Sequence, residues 1–331
     1  MSKDPLHSSR RPQPDPATQR LLDKLKAAGV PPMCDLGPQG ARQAMLDGRV
    51  NDVTPPRVAR VADRTIPGPG GDIALRCYWP REAAPGELGA LLYFHGGGFV
   101  IGDLDSHDNI CRRLCADGDV IVVSVHYRLA PEHPFPGAVD DALAALAWLR
   151  ANATQLRADP ARLAVGGDSA GGTLAAVAAQ HAREEHTALR AQLLLYPVVD
   201  LAEAYPSHEE HADTHPIPRA VLAWFWSLYL GEGWEQDHAL RRDPRVSPLQ
   251  AQRFDALAPA FVLTAGMDPL RDEGNAYARR LAAAGVETLT FSVLGTVHGF
   301  LRLGALIPAA SDALAGAAAF LRARMSVLAG S

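Results

Sequence analysis

Ser169 sits in Gly166-Gly-Asp-Ser-Ala-Gly-Gly172, directly after the apolar run Leu163-Ala-Val165. A serine hydroxyl is a weak nucleophile at neutral pH. Chemistry here needs a base to take its proton and donors to hold the oxyanion that its attack creates. The spacing Gly167-x-Ser169-x-Gly171 predicts a tight strand-to-helix turn with the hydroxyl exposed at its apex. His298, in Gly295-Thr-Val-His-Gly-Phe300, is the candidate base. Asp268, in Ala265-Gly-Met-Asp-Pro-Leu-Arg-Asp-Glu-Gly274, is the candidate acid that would orient the imidazole. Asp200, just beyond the run ending near Val199, is a rival acid, and Asp272 reads as a surface or capping group. His95-Gly-Gly-Gly-Phe99 offers the oxyanion donors: the N–H groups of Gly97 and Gly98, joined by that of Ala170 after the nucleophile. His95 itself reads as a residue that orients this loop by a hydrogen bond, not as a base.

Such residues lie far apart in the chain, so strands and helices must bring them together. The chain has 331 residues, 47% of them hydrophobic, enough for one large α/β domain or two smaller ones. Ile73–Trp79 alternates with a period near two and predicts an early strand. Continuous apolar runs at Ala90–Phe94, Val120–Val125, Leu163–Val165, Gln192–Tyr196 and Ala260–Thr264 predict strands buried on both faces, and Thr288–Val293 a last one. Helical patterns fall near Ser106–Ala116, Ala138–Ala151, Ser169–Arg183, Leu270–Ala284 and Ser311–Arg324. This alternation predicts a mostly parallel sheet covered by helices on both faces. Each candidate residue then follows the C-terminal end of a strand, the edge where sites form in open α/β folds.

Two regions break the rhythm. Residues 1–50 hold a polar lead and then an amphipathic helix near Ala17–Ala28, with Leu21, Leu22 and Leu25 on one face. Residues 200–244 hold a polar stretch and then the aromatic helix Val221–Leu230. We expect these two regions to form a helical cap, inserted on an α/β core made of residues 51–199 and 245–331.

The net charge of −5, with no run of like charge, argues against a nucleic-acid partner. The polar, proline-rich start lacks the apolar region of a secretory signal, and Val221–Leu230 is too short to span a bilayer, so a cytoplasmic protein without stable membrane insertion is expected. Cys111 and Cys115 read as a buried reduced pair on a helix. His208-Glu-Glu-His-Ala-Asp-Thr-His215 looks like a metal cluster, but its first two histidines are three apart where the zinc-protease helix needs four; a solvated cap loop is the better reading. Trp224, Phe225 and Phe99 are candidates to line the substrate pocket. Arg128 and Glu132, near one another in a proline-rich stretch, read as a structural loop tie.

His95-Gly-Gly-Gly98, Gly167-Asp-Ser-Ala-Gly-Gly172, Asp268-Pro-Leu-Arg-Asp-Glu-Gly274 and His298-Gly-Phe300 together resemble the hormone-sensitive-lipase-like carboxylesterases. Tyr127-Arg-Leu-Ala-Pro-Glu-His-Pro-Phe-Pro136 and Ser247-Pro-Leu249 resemble further signatures of that family. The resemblance runs from about residue 70 to 300 and implies an α/β-hydrolase fold with a two-part helical cap. It implies a triad of Ser169, Asp268 and His298, an oxyanion hole at Gly97, Gly98 and Ala170, and no metal or organic cofactor. The expected activity is hydrolysis of short-to-medium acyl esters through an acyl-serine. The same triad would also serve an amide hydrolase, a deacetylase or formamidase. A non-catalytic ligand-binding protein, like the plant gibberellin receptors, is a third reading, but those have lost the catalytic histidine and His298 is present. A homodimer is a possible state, since the last strand would leave an open sheet edge.

Overall fold

The structure, a computed structural model, describes residues 12–48 and 55–326. The polar lead over residues 1–11 and the expected boundary near residue 50 lie outside the described residues. Eight strands form one sheet among the described residues: β1 (Arg60–Gly68), β2 (Gly71–Trp79), β3 (Leu88–Phe94), β4 (Ile121–His126), β5 (Ala158–Asp168), β6 (Ala191–Leu195), β7 (Ala260–Met267) and β8 (Thr288–Val297). Their order is β1-β2-β4-β3-β5-β6-β7-β8. Only β1 and β2 run antiparallel to their neighbours; from β4 to β8 every pairing is parallel. The helices are α1 (Pro16–Ala27), α2 (Gly37–Asp47), α3 (Asp108–Gly118), α4 (Gly137–Asn152), α5 (Ala170–Glu184), α6 (Pro206–Glu210), α7 (Arg219–Leu230), α8 (His238–Arg241), α9 (Arg271–Ala283) and α10 (Ala309–Met325).

The continuous apolar runs follow from this layering. Along β3, Ala90, Leu92 and Phe94 join the core beneath α4, α5 and α9, while Leu91 and Tyr93 join the core beneath α3 and α10. Successive residues of a strand point to opposite faces. A strand covered on both faces therefore has no polar position left, and all seven residues of β3 are buried. β1 escapes the sequence reading because only one of its faces meets the core. Its segment Arg60-Val-Ala-Asp-Arg-Thr-Ile-Pro-Gly68 is charged, and Ile66 is its single buried residue. β8 closes the other side of the sheet as an edge strand, as expected, with Leu289, Phe291 and Leu294 exposed.

Parallel strands put all their C-terminal ends on one edge, and the irregular helical segments meet the chain there. The N–H of Asp15, which caps α1, donates to the carbonyl of Gly295 just before His298 (3.0 Å). From α2, Arg42 donates to the carbonyls of Val100 (2.8 Å) and Ala130 (2.9 Å) beyond β3 and β4, and pairs with Glu132. Arg128 does not tie to Glu132. It pairs instead with buried Asp141 on α4 (2.8 Å). The proline-rich stretch is thus a junction between α2 and α4, not a self-contained tie.

At the β3–β5–α5 junction, backbone approaches backbone. A Cβ on Gly171 would overlap the Phe94 carbonyl oxygen, and one on Gly167 would overlap the carbonyls of Gly171 and Phe94. Gly171→Ala brings about 1 kcal/mol of helix propensity but forces the strand end and the helix apart. We expect a net loss of about 2 kcal/mol in stability, read as a lower urea midpoint with unchanged slope. An unchanged midpoint would contradict the contact.

Candidate active site

Ser169 follows β5 and precedes α5, with φ 56° and ψ −121°. That conformation is strained for a residue with a Cβ, and it holds because the backbone around it is tied on both sides. The Ser169 N–H donates to the carbonyl of Leu195 on β6 (2.9 Å). Its own carbonyl accepts from the N–H groups of Gly172 (2.9 Å) and Val198 (3.2 Å). The side chain is left at the sheet edge, 9% exposed.

His298, directly after β8, brings Nε2 to 2.8 Å from Ser169 Oγ and Nδ1 to 2.7 Å from Asp268 Oδ2. The tautomer that serves both contacts carries its proton on Nδ1, donates it to Asp268 and accepts from the serine hydroxyl. Asp268, directly after β7, is fully buried, and its second oxygen accepts from the Leu270 N–H (2.9 Å). Asp200 is not brought to His298. It accepts from the Tyr205 hydroxyl (2.6 Å), the Ala202 N–H (2.9 Å) and the Gln250 amide (3.1 Å). Asp272 accepts from the Ser207 N–H (2.9 Å) and pairs with Arg271.

Gly97 and Gly98 have φ +127° and +60°, so the chain turns through two successive left-handed steps just beyond β3. Only glycine takes these without strain. Ala170 is the first residue of α5, where an N–H has no carbonyl within its own helix to bond. His95 is buried, and its Nδ1 lies 2.9 Å from the Gly96 carbonyl. Burial first, and His107 next, push its imidazole down to about 3, so it stays neutral and serves geometry, not proton transfer.

The aromatic candidates separate. Phe225 of α7 packs its ring on Gly98, so closely that a Cβ there would overlap it. Trp224 lies beside it at 5.0 Å between ring centroids and is partly buried. Phe99 is stacked on Tyr229 at 3.9 Å and is a core residue of the interface between α7 and the loop after β3.

The histidine-rich stretch is not a solvated loop. His208 Nε2 faces buried Glu273 at 3.1 Å, and His211 is itself buried and accepts from Arg271 (3.2 Å). Ser207 Oγ donates to the carbonyl of Pro269 (2.6 Å), next to Asp268. Among the described residues no group of three or more His, Cys, Asp or Glu side chains could hold a metal ion. Cys111 and Cys115 are buried free thiols on α3, as expected. No described helix is long and apolar enough to cross a membrane.

Asp168, which carries no expected role from the sequence, is a buried carboxylate one residue before Ser169. It accepts from the Gly96 N–H (2.9 Å) and the Tyr93 hydroxyl (2.8 Å), and its other oxygen faces His107 Nε2 at 3.3 Å. A buried, turn-forming aspartate cannot be told from a surface one by sequence.

Residues 91–302 match the family described as the alpha/beta hydrolase fold. The esterase LipI of Mycobacterium tuberculosis is 41% identical over 309 residues, covering 92% of this chain and 93% of that relative. The ethyl acetate hydrolase of Pseudomonas putida is 43% identical over 248 residues, covering 74% of this chain and 76% of that relative. A solved structure of the ester-hydrolase EH1AB1 from the metagenome of Lake Arreo, complexed with a derivative of bipyridine phosphonate, has a TM-score of 0.89 at 44% identity; it covers 94% of this chain and 99% of that chain.

Burial by itself would raise the Asp168 carboxyl, but His107 and the Tyr93 hydroxyl outweigh it and hold it at about 2. Because its folded pKa is depressed, its stabilising contribution is present above the ordinary carboxylate range near 4 and is lost as pH falls toward 2. Asp168→Asn removes this titration. Between pH 4 and 2 the wild type should lose on the order of 2 kcal/mol more stability than the variant, measured by urea unfolding across that range. Parallel losses in the two proteins would contradict the assignment.

Proposed function

The chain belongs to the alpha/beta hydrolase fold family and is a serine carboxylesterase, and we propose that Ser169, His298 and Asp268 carry its reaction on esters of short-to-medium acyl chains. The observation that supports this most is the continuous relay of 2.8 Å and 2.7 Å from hydroxyl to imidazole to carboxylate. The Pseudomonas putida relative, an ethyl acetate hydrolase, supports a short acyl group.

His298 takes the Ser169 proton as Oγ attacks the ester carbonyl, then gives it to the leaving alcohol. The N–H groups of Gly97, Gly98 and Ala170 receive the oxyanion. A water, deprotonated by His298, then attacks the acyl-serine, and the imidazolium returns that proton to Ser169 Oγ as the carboxylic acid departs. Asp268 stays ionised throughout, fixing the imidazole tautomer and stabilising the imidazolium. In this reading residues 1–50 and 200–244 act as the two parts of a cap, and Phe225 and Trp224 line the pocket beside the hole, with Phe99 behind them. The chain works in the cytoplasm.

Ser169→Ala should lower kcat/KM by roughly 10,000-fold or more without changing the melting temperature. An organophosphate should label the wild type at Ser169 with one group per chain. A folded sample that is not labelled, or a variant that keeps substantial activity, would assign the nucleophile elsewhere.

A further inference from the structure

The esterase chemistry leaves a buried carboxylate unused beside its nucleophile. Asp168, the last residue of β5, joins its strand to segments beyond the sheet. Tyr93 of β3 and Gly96 of the loop after β3 donate to it. The start of α3 faces it through His107, whose Nδ1 in turn lies 3.0 Å from Ser106 Oγ. Arg302, four residues after His298, donates to the Ser106 carbonyl (3.4 Å). Asp168 itself is bonded in chain to Ser169. The nucleophile turn and the glycine loop therefore meet at one anionic group, and the histidine turn reaches it indirectly through Ser106 and His107.

The glycine loop has most need of such a support. Three consecutive glycines have little stiffness of their own. Oxyanion donors work only when their N–H bonds are aimed beforehand at the place where charge will develop. The peptide group of Gly96 precedes those of Gly97 and Gly98 directly, so fixing its N–H fixes where the two left-handed steps begin. The sequence accommodates this contact: a Cβ on Gly96 would overlap the Asp168 carboxylate. On the far side of the loop the His95 carbonyl accepts from the buried Tyr127 hydroxyl (2.7 Å), and Gly102 lets its backbone close on the His95 ring.

A bare anion behind the hole would oppose the developing oxyanion. His107 and Arg302 both favour the ionised form of Asp168. A buried carboxylate persists only where donors converge on it, and these donors come from the parts that must be aligned for attack.

We propose that Asp168, braced by His107, is a positioning residue for the oxyanion hole, acting through the Gly96 N–H on the aim of Gly97 and Gly98. This rests on the esterase reading of Ser169.

The test compares wild type with Asp168→Ala, Asp168→Asn and His107→Ala on p-nitrophenyl esters, each normalised to sites titrated with an organophosphate. A trifluoromethyl ketone, which forms an oxyanion on the serine, and a non-reactive amide isostere of the substrate are measured as inhibitors. Asp168→Ala should lower kcat by about 100-fold with KM changed by less than about threefold, and weaken the ketone in proportion while sparing the amide. Asp168→Asn keeps an oxygen for the Gly96 and Tyr93 donors and should recover most of kcat. His107→Ala should cost about tenfold in kcat and ketone affinity together, and it decides the matter if Asp168→Ala does not fold. Wild-type kcat per titrated site in either alanine variant, or equal weakening of ketone and amide, would overturn the proposal. A wild type that neither labels nor turns over would instead overturn the esterase reading itself.

Discussion

Where β3 ends, the carbonyl of Phe94 lies against the backbone of Gly167 and Gly171, with no room for a side chain between them. This contact sets how near the loop after β3 comes to the turn after β5. Ser169 owes its left-handed backbone to it, because the strand end, the β6 carbonyl of Leu195 and the start of α5 leave the chain one path between them. The carboxylate of Asp168 reaches Gly96 across the same narrow gap. Separating the two backbones by one methyl group would disturb the nucleophile, the oxyanion loop and the buried carboxylate together. Interiors packed to crystal density transmit such a displacement instead of absorbing it.

The helical segments outside the core are held by polar bonds as well as apolar contact. Ser207 exchanges hydrogen bonds with Asp272 and donates to Pro269, Arg271 reaches Glu210, and His208 faces Glu273. All of these partners lie within five residues of Asp268. Glu273 also accepts from the N–H of Val199 beyond β6 (2.7 Å). The segment around α6 therefore grips the loop that carries Asp268, and α2 grips the loops after β3 and β4 through Arg42. Phe225 completes the enclosure by lying on Gly98. These links give the helical segments a direct mechanical connection to the groups that react.

Sequence reading recovered what burial and chain order dictate. β3 to β7 are visible because both faces are covered, and a strand with no solvent side reads as an unbroken apolar run. Ser169 and Asp268 are visible because each follows such a run, and His298 because it follows the last strand with glycine beside it. What stayed hidden depends on partners distant in the chain. β1 is polar on its outer face and needs β2 to be a strand at all. The partner of Arg128 is Asp141, thirteen residues on, although Glu132 sits one helical turn away in sequence. His208 and His211 looked solvated because Glu273 and Arg271, which engage them, lie some sixty residues later. Asp168 carried no signal of its own, since what distinguishes it is the set of donors that only the folded sheet assembles.

The order of residues along the chain adds a temporal meaning to the spatial order of the sheet. The glycine loop after β3 is made first, then Ser169, then Asp268, and His298 comes after β8, the last strand and the one at the sheet's rim. A nascent polypeptide emerging from the ribosome can assemble β3 against β5 and form the strained serine turn while His298 is still unsynthesised. On the proposed assignment Ser169 has no base beside it until then, and a chain arrested before that point would carry the serine turn without His298.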